Sequence, residues 1–79
     1  MATSKLPSLS GKRTVKALLR AGFVVARVAG SHHVLTLPGN VRRTVTVPVH
    51  GDRDLKRSTL RSILTQAGLS VDEFINLLR

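Results

Sequence analysis

The chain has 79 residues and no cysteine, so it forms one small domain without disulfides or a thiolate metal site to stabilise it. Its thirteen lysines and arginines outnumber four acidic residues, and the formal net charge of +9 favours contact with a polyanion, RNA or DNA first among them. Only two residues are aromatic, which argues against a protein that stacks single-stranded bases on aromatic side chains.

The N-terminal residues 1–9 lack apolar periodicity, and we expect them to form a flexible lead-in to a single domain over residues 10–79. No apolar run approaches the ~20 residues that a transmembrane helix needs, and no signal-peptide pattern is present. We therefore expect a cytoplasmic protein.

An amphipathic helix is predicted between Ser10, a candidate N-cap, and Gly22, a helix stop. Apolar residues recur between them at helical spacing: Val15, Leu18 and Leu19. The other face carries four basic residues, and the simplest interpretation is a solvated helix surface, with RNA contact as the alternative. These residues are Lys12, Arg13, Lys16 and Arg20.

Three antiparallel strands follow the first helix. Residues 23–29 are rich in β-branched types and end at a Gly30-Ser31 turn, which opens into a strand that runs to Leu37. A turn at residues 38–40 contains proline and glycine, and residues 41–47 alternate between apolar and polar types. The pattern predicts a three-stranded meander.

The alternation in the second strand separates its two adjacent histidines. Leu35 and Leu37 share one side with His33, at the edge of the core, while His32 stands on the opposite, open face of the sheet. Matching the apolar sides of the strands places further residues on the open face: Val34, Thr36, Arg42, Thr44 and Thr46, with Arg27 from the first strand.

Two helices are predicted after a polar loop over residues 48–54. Ser58 is a candidate N-cap for the first, whose apolar residues end at Gly68, and Ser70 with Glu73 forms a capping box for the second. The predicted fold class is α+β: a helix, a three-stranded antiparallel sheet, and one or two helices packed on one face.

This order of elements, with four short motifs, resembles the HicA toxin family over nearly the whole chain. The motifs are Ala21-Gly22-Phe23, Gly30-Ser31-His32-His33, Val47-Pro48-Val49-His50 and Ser58-Thr59-Leu60. Members are similar in fold to double-stranded RNA-binding domains. The resemblance implies the toxin of a type II toxin–antitoxin system, an endonuclease of messenger RNA that is neutralised by a HicB antitoxin. It implies a monomer when free and a hetero-oligomer with the antitoxin.

In that family the histidine of the glycine-serine-histidine turn is the functional residue, which carries over onto His32. One departure from the family pattern is Ser58, where relatives commonly have glycine. Serine is a good N-cap, so the difference leaves the expected local backbone unchanged.

The chemistry expected at the site is metal-independent RNA cleavage, in which the 2′-hydroxyl attacks the adjacent phosphate. This reaction needs a proton acceptor, a proton donor and nearby cations, and histidine serves in both proton roles because its ordinary pKa is about 6.5. His32 is the catalytic candidate, and His33 and His50 are candidates for supporting roles. The candidate RNA-binding residues are Arg27, Arg42, Lys56 and Arg57.

A metal site is disfavoured, and no cofactor is expected. The adjacent histidines point apart on a strand, and no cysteine or nearby carboxylate completes a tetrahedral zinc site. Asp52 and Asp54 are surrounded by basic residues, so local ion pairing explains them more simply than a nuclease metal centre does.

Two other functions are compatible with the basic composition. The first is a non-catalytic RNA-binding module of the double-stranded RNA-binding type. The second is a DNA-binding or ribosome-associated protein, which has less support because no pair of helices has helix-turn-helix character.

Overall fold

The structure is a computed structural model that describes residues 6–79, apart from the side chains of residues 41 and 42. It contains six elements, and their order confirms the predicted α+β architecture. They are α1 (Gly11–Arg20), β1 (Val24–Ala29), β2 (His32–Leu37), β3 (Asn40–Pro48), α2 (Arg57–Ala67) and α3 (Val71–Leu77).

The sheet has the order β1-β2-β3, and both pairs of strands are antiparallel. On its covered face, Leu35 of β2 lies opposite Val25 of β1 and Val45 of β3. β1 contains a bulge between Val25 and Arg27, and it forms one edge of the sheet. The predicted meander is therefore confirmed, with β2 at its centre.

Two groups of buried apolar side chains hold the helices and the sheet together. The first lies between the sheet and the helices α1 and α2 and consists of Leu18, Phe23, Leu35, Val45, Val47, Ile63 and Ala67. The second joins the three helices to the N-terminal segment and consists of Leu6, Leu9, Ala17, Leu60, Leu64 and Phe74. The helices pack on one face of the sheet, as predicted, and cover β2 and β3 there, whereas Val28 of β1 on that face is 54% exposed. Leu19 of α1, expected on the apolar side, is 45% exposed.

The segment that precedes α1 differs from its prediction. Leu6 and Leu9, which the sequence assigned to a flexible lead-in, are each only 2% exposed. The backbone N–H of Leu55 donates to the Leu9 carbonyl oxygen over 2.7 Å, and Arg57 Nη1 donates to the Leu6 carbonyl oxygen over 2.6 Å. Residues 6–9 therefore belong to the packed domain, because burial and hydrogen bonds offset the entropy lost on ordering them.

Two of the three predicted N-terminal helix caps are present in the structure. The Ser10 side chain accepts a hydrogen bond from the Arg13 backbone N–H, and the capping box of Ser70 and Glu73 is formed at the start of α3. The prediction of Ser58 as an N-cap is wrong, because α2 begins at Arg57 and its N-cap is Lys56, two residues before Ser58, without a side-chain hydrogen bond. The Arg57–Leu6 contact anchors the chain at this point, so tertiary contacts outweigh the local preference of serine. Within residues 6–79 no helix is long and apolar enough to span a membrane.

The capping box predicts a pH dependence of stability. The Ser70 backbone N–H donates to Glu73 Oε1 over 2.9 Å, and this bond, followed by that with the Ser70 side chain, lowers the pKa of Glu73. A carboxyl group with a lowered folded-state pKa stabilises the fold above its unfolded-state pKa, and the stabilisation is lost as pH falls through the folded-state pKa. The melting temperature of the parent should therefore exceed that of Glu73→Gln at neutral pH, and the difference should shrink as the pH is lowered. A difference that widens in acid would contradict this role of the carboxylate.

Candidate functional site

The two adjacent histidines are held at the start of the central strand. Gly30 has φ of 58°, a left-handed conformation that glycine adopts readily, and it turns the chain from β1 into β2. The Val49 backbone N–H donates to the Ser31 carbonyl oxygen over 2.6 Å, which extends the pairing of β2 with β3 to the residue before β2. His32 then lies between Ala29 of β1 and Pro48 of β3. This arrangement fixes the backbone of both histidines.

His32 is exposed on the open face of the sheet. The register places Arg27 and Thr46 opposite Val34 of β2, and Thr44 opposite Thr36. Paired residues share a face of a sheet, and alternate residues along a strand do too, so these side chains lie on the same face as His32. The backbone of Arg42 is in β3, but its side chain lies outside the described part of the chain.

A depression between the end of β3 and the start of α2 brings His50 and Lys56 together. It has a volume of about 290 Å³ and is lined by Pro48, His50, Arg53, Asp54, Leu55, Lys56 and Thr59. Pro48 is also the residue paired with His32, so the depression begins at the neighbour of the catalytic candidate. His50 and Lys56, predicted to have supporting and RNA-binding roles, therefore share one depression that includes the strand partner of His32.

Arg57 differs from the other candidates because part of its guanidinium group has a structural contact. Its Nη1 donates to the Leu6 carbonyl oxygen in a partly buried hydrogen bond. The side chain therefore anchors the N-terminal segment, and only its remaining N–H groups are left for RNA.

His33 lines a different space, on the covered side of the sheet. A cleft of about 460 Å³ lies between α1 and the loop that follows β3, lined by Ser10, Lys12, Arg13, Val15, Lys16, His33, Val49, Asp52 and Asp54. His33 is half-buried, and its Nδ1 atom is buried without a hydrogen-bond partner among the described residues. The sequence placed His33 at the edge of the core but gave no sign that basic residues of α1 surround it.

One acidic residue of this loop, Asp52, forms an ion pair with α1. Lys12 Nζ lies 3.7 Å from Asp52 Oδ1, and both side chains are largely exposed. The predicted explanation of ion pairing therefore applies to Asp52, although its partner comes from α1 and not from the neighbouring loop. Across the described part of the chain, no three histidine or acidic side chains are grouped closely enough to hold a metal ion.

Comparison with known proteins identifies the family. The family model for the HicA toxin of bacterial toxin–antitoxin systems matches residues 11–69, which is more than half of the chain and runs from the start of α1 to the residue before the α3 capping box. No curated protein matches the chain. The matched range contains His32, His33 and His50, and all the residues that line the cleft beside His33 except Ser10.

Proposed function

The chain belongs to the HicA toxin family of bacterial toxin–antitoxin systems, and from that premise we propose that it is an endoribonuclease that cleaves messenger RNA. The observation that carries this proposal is the position of His32, an exposed histidine at the end of the central strand. It lies on an open sheet face that also holds Arg27. Such a face offers a proton-transfer group and a cation to an RNA strand laid across it.

The proposed reaction is transesterification within the RNA. The 2′-hydroxyl gives up its proton and its oxygen bonds to the adjacent phosphorus, while the bond from phosphorus to the 5′-oxygen of the next nucleotide breaks and that oxygen takes up a proton. The products are a 2′,3′-cyclic phosphate end and a 5′-hydroxyl end. His32 serves as one of the two proton-transfer groups, since a neutral imidazole accepts a proton and an imidazolium donates one.

The second proton-transfer role suits His50 better than His33. Neighbouring residues of a strand face opposite sides of the sheet, so His33 does not share the open face with His32. His50 lies in the depression that begins at Pro48, next to His32. This makes His50 the stronger candidate for a supporting role in proton transfer.

The negative charge that develops on the phosphate oxygens requires cations. Arg27 on the open face and Lys56 beside His50 are the two described candidates in suitable positions. Hydrogen bonds and Coulomb attraction from such groups stabilise the transition state more strongly than the ground state. Arg42 and Arg57 are further candidates in this proposal.

Membership of a toxin–antitoxin family implies an antitoxin partner, and we propose that this partner is a HicB protein. The net charge of +9 suits an acidic inhibitor that competes with RNA for the same surface.

Cleavage of RNA by the purified protein in the presence of a chelator tests the proposed activity. We expect single-stranded RNA to be cut without added metal, because both proton transfers and the charge stabilisation come from side chains. The fragments should carry 2′,3′-cyclic phosphate and 5′-hydroxyl ends, and the same RNA with 2′-O-methyl groups should stay intact because its nucleophile is blocked. Cleavage that needs a divalent metal would contradict the mechanism, and binding without cleavage would support the non-catalytic module instead.

A further inference from the structure

The cleft beside His33 is not used by the proposed reaction, yet it collects several charged groups. Three of the four basic residues on the outer face of α1 line it: Lys12, Arg13 and Lys16. The sequence favoured a solvated surface for these residues. Their side chains are exposed, as that interpretation requires, and they also border a cleft that is lined by a half-buried histidine.

The walls of the cleft are held in place by backbone contacts. Gly11 packs so closely on the end of β3 that a Cβ atom there would collide with the Pro48 carbonyl oxygen and lie 3.1 Å from Val49 Cα. Ser10 and Asp54 form an isolated antiparallel bridge, and the Leu55 N–H donates to the Leu9 carbonyl oxygen. The cleft therefore exists before any ligand arrives, which lowers the entropy lost on binding.

The lining suits a molecule with an anionic group and a flat, partly apolar body. Among the described residues Lys12 is the only one of the three cations in an ion pair with an acidic side chain, which leaves the charges of Arg13 and Lys16 to attract a phosphate. Val15 and Val49 provide apolar surface, and Asp54 provides a hydrogen-bond acceptor. The volume of about 460 Å³ falls in the range of small-ligand sites.

His33 supplies the most specific sign of a ligand. Its Nδ1 atom is buried and lacks a hydrogen-bond partner among the described residues. A buried polar atom without a partner is unfavourable, so a turn of the imidazole that brings Nδ1 to a ligand in the cleft would be favoured.

We propose that this cleft binds one nucleotide of the RNA, next to the phosphodiester that is cleaved, and that His33 is a binding residue of the cleft. The proposal rests on the proposed ribonuclease function. His32 and His33 are the first two residues of β2, where His32 is exposed on one face of the sheet and His33 is half-buried on the other. An RNA strand that passes around this end would place one nucleotide in the cleft and the adjoining phosphate at His32.

Titration of the labelled protein with adenosine 5′-monophosphate, followed by nuclear magnetic resonance, tests the cleft directly. We expect the largest shifts at His33 and at the backbone of residues 10–16, with a smaller response to inorganic phosphate alone, which lacks the base. Lys16→Ala should weaken nucleotide binding by about tenfold through loss of a charged contact. The matched control is Arg61→Ala, an exposed cation of α2 outside the cleft, which should change affinity less than twofold.

Equal losses in Lys16→Ala and Arg61→Ala would overturn the proposal, because they would show only attraction to net charge. Shifts confined to the open face, or no binding of the nucleotide, would overturn it too. A nucleoside monophosphate has no phosphodiester to cleave, so this result does not depend on catalysis. Binding in the cleft by a protein that fails to cut RNA would therefore refute the ribonuclease function and not the nucleotide site.

Discussion

Replacement of His32 by alanine should lower the rate of RNA cleavage by about 10²–10⁴-fold, the usual contribution of a proton-transfer group. The side chain is exposed on the open face, so its removal leaves no cavity and exposes no buried polar atom. The melting temperature and the affinity for RNA should stay close to those of the parent. Single-turnover cleavage with excess protein separates the chemical step from binding, and a filter-binding assay with 2′-O-methyl RNA measures affinity alone.

His33→Ala tests the assignment of His32 to the open face of the sheet and of His33 to the covered face. The nucleotide cleft predicts that it raises KM and leaves kcat nearly unchanged, because the side chain lies on the opposite side of the sheet from the reacting phosphate. His50→Ala should reduce kcat by less than His32→Ala does. Full activity in His32→Ala would refute its assignment, and loss of kcat in His33→Ala would transfer the catalytic role to that residue.

Replacement of Phe74 by alanine should lower the free energy of unfolding by about 3–5 kcal/mol, the usual effect of removing a buried aromatic ring. Phe74 is 0% exposed and belongs to the apolar cluster that joins the three helices to residues 6–9. A domain of this length has a total stability of about 4–12 kcal/mol. The expected loss is a large part of that total, so the urea midpoint of the variant should fall well below that of the parent, as urea titration followed by circular dichroism would show.

Ile75→Ala is the matched control in the same helix. Ile75 is only half-buried, so the loss should be about 1 kcal/mol or less. The comparison decides whether α3 is part of the folding unit, since Phe74 lies outside residues 11–69 that match the family. A loss of about 1 kcal/mol or less in both variants would show that α3 contributes little to the core.

The sequence by itself determined the features that depend on neighbouring residues. Periods of two and 3.6 residues predicted the strands and helices, and the alternation along β2 placed His32 and His33 on opposite faces. The capping box at Ser70 and the stop at Gly68 were also predicted, because each depends on a few adjacent side chains. The glycine-serine-histidine turn, read together with the other motifs, indicated the family.

Only the tertiary structure decided which charged residues have structural contacts. Arg20 donates to the carbonyl oxygens of Leu77 and Arg79 at the end of α3, and Arg57 donates to that of Leu6. The guanidinium of Arg43 lies so close to Gly68 that a Cβ atom there would be 2.7 Å from it. The sequence does not distinguish these arginines from the arginines that are candidates for RNA contact. The partner of each lies in a distant segment of the chain that only folding brings close.

The cleft beside His33 could not be predicted from the sequence either. Its lining comes from the start of α1, from β2 and from the loop after β3, and no local period relates residues so far apart in the chain. Burial of Leu6 and Leu9 has the same origin, since their apolar character becomes decisive only where α1, α2 and α3 meet. The sequence thus determined the faces of each element and the identity of the family. Packing determined which faces meet, because the free energy of burial depends on partners that local patterns do not specify.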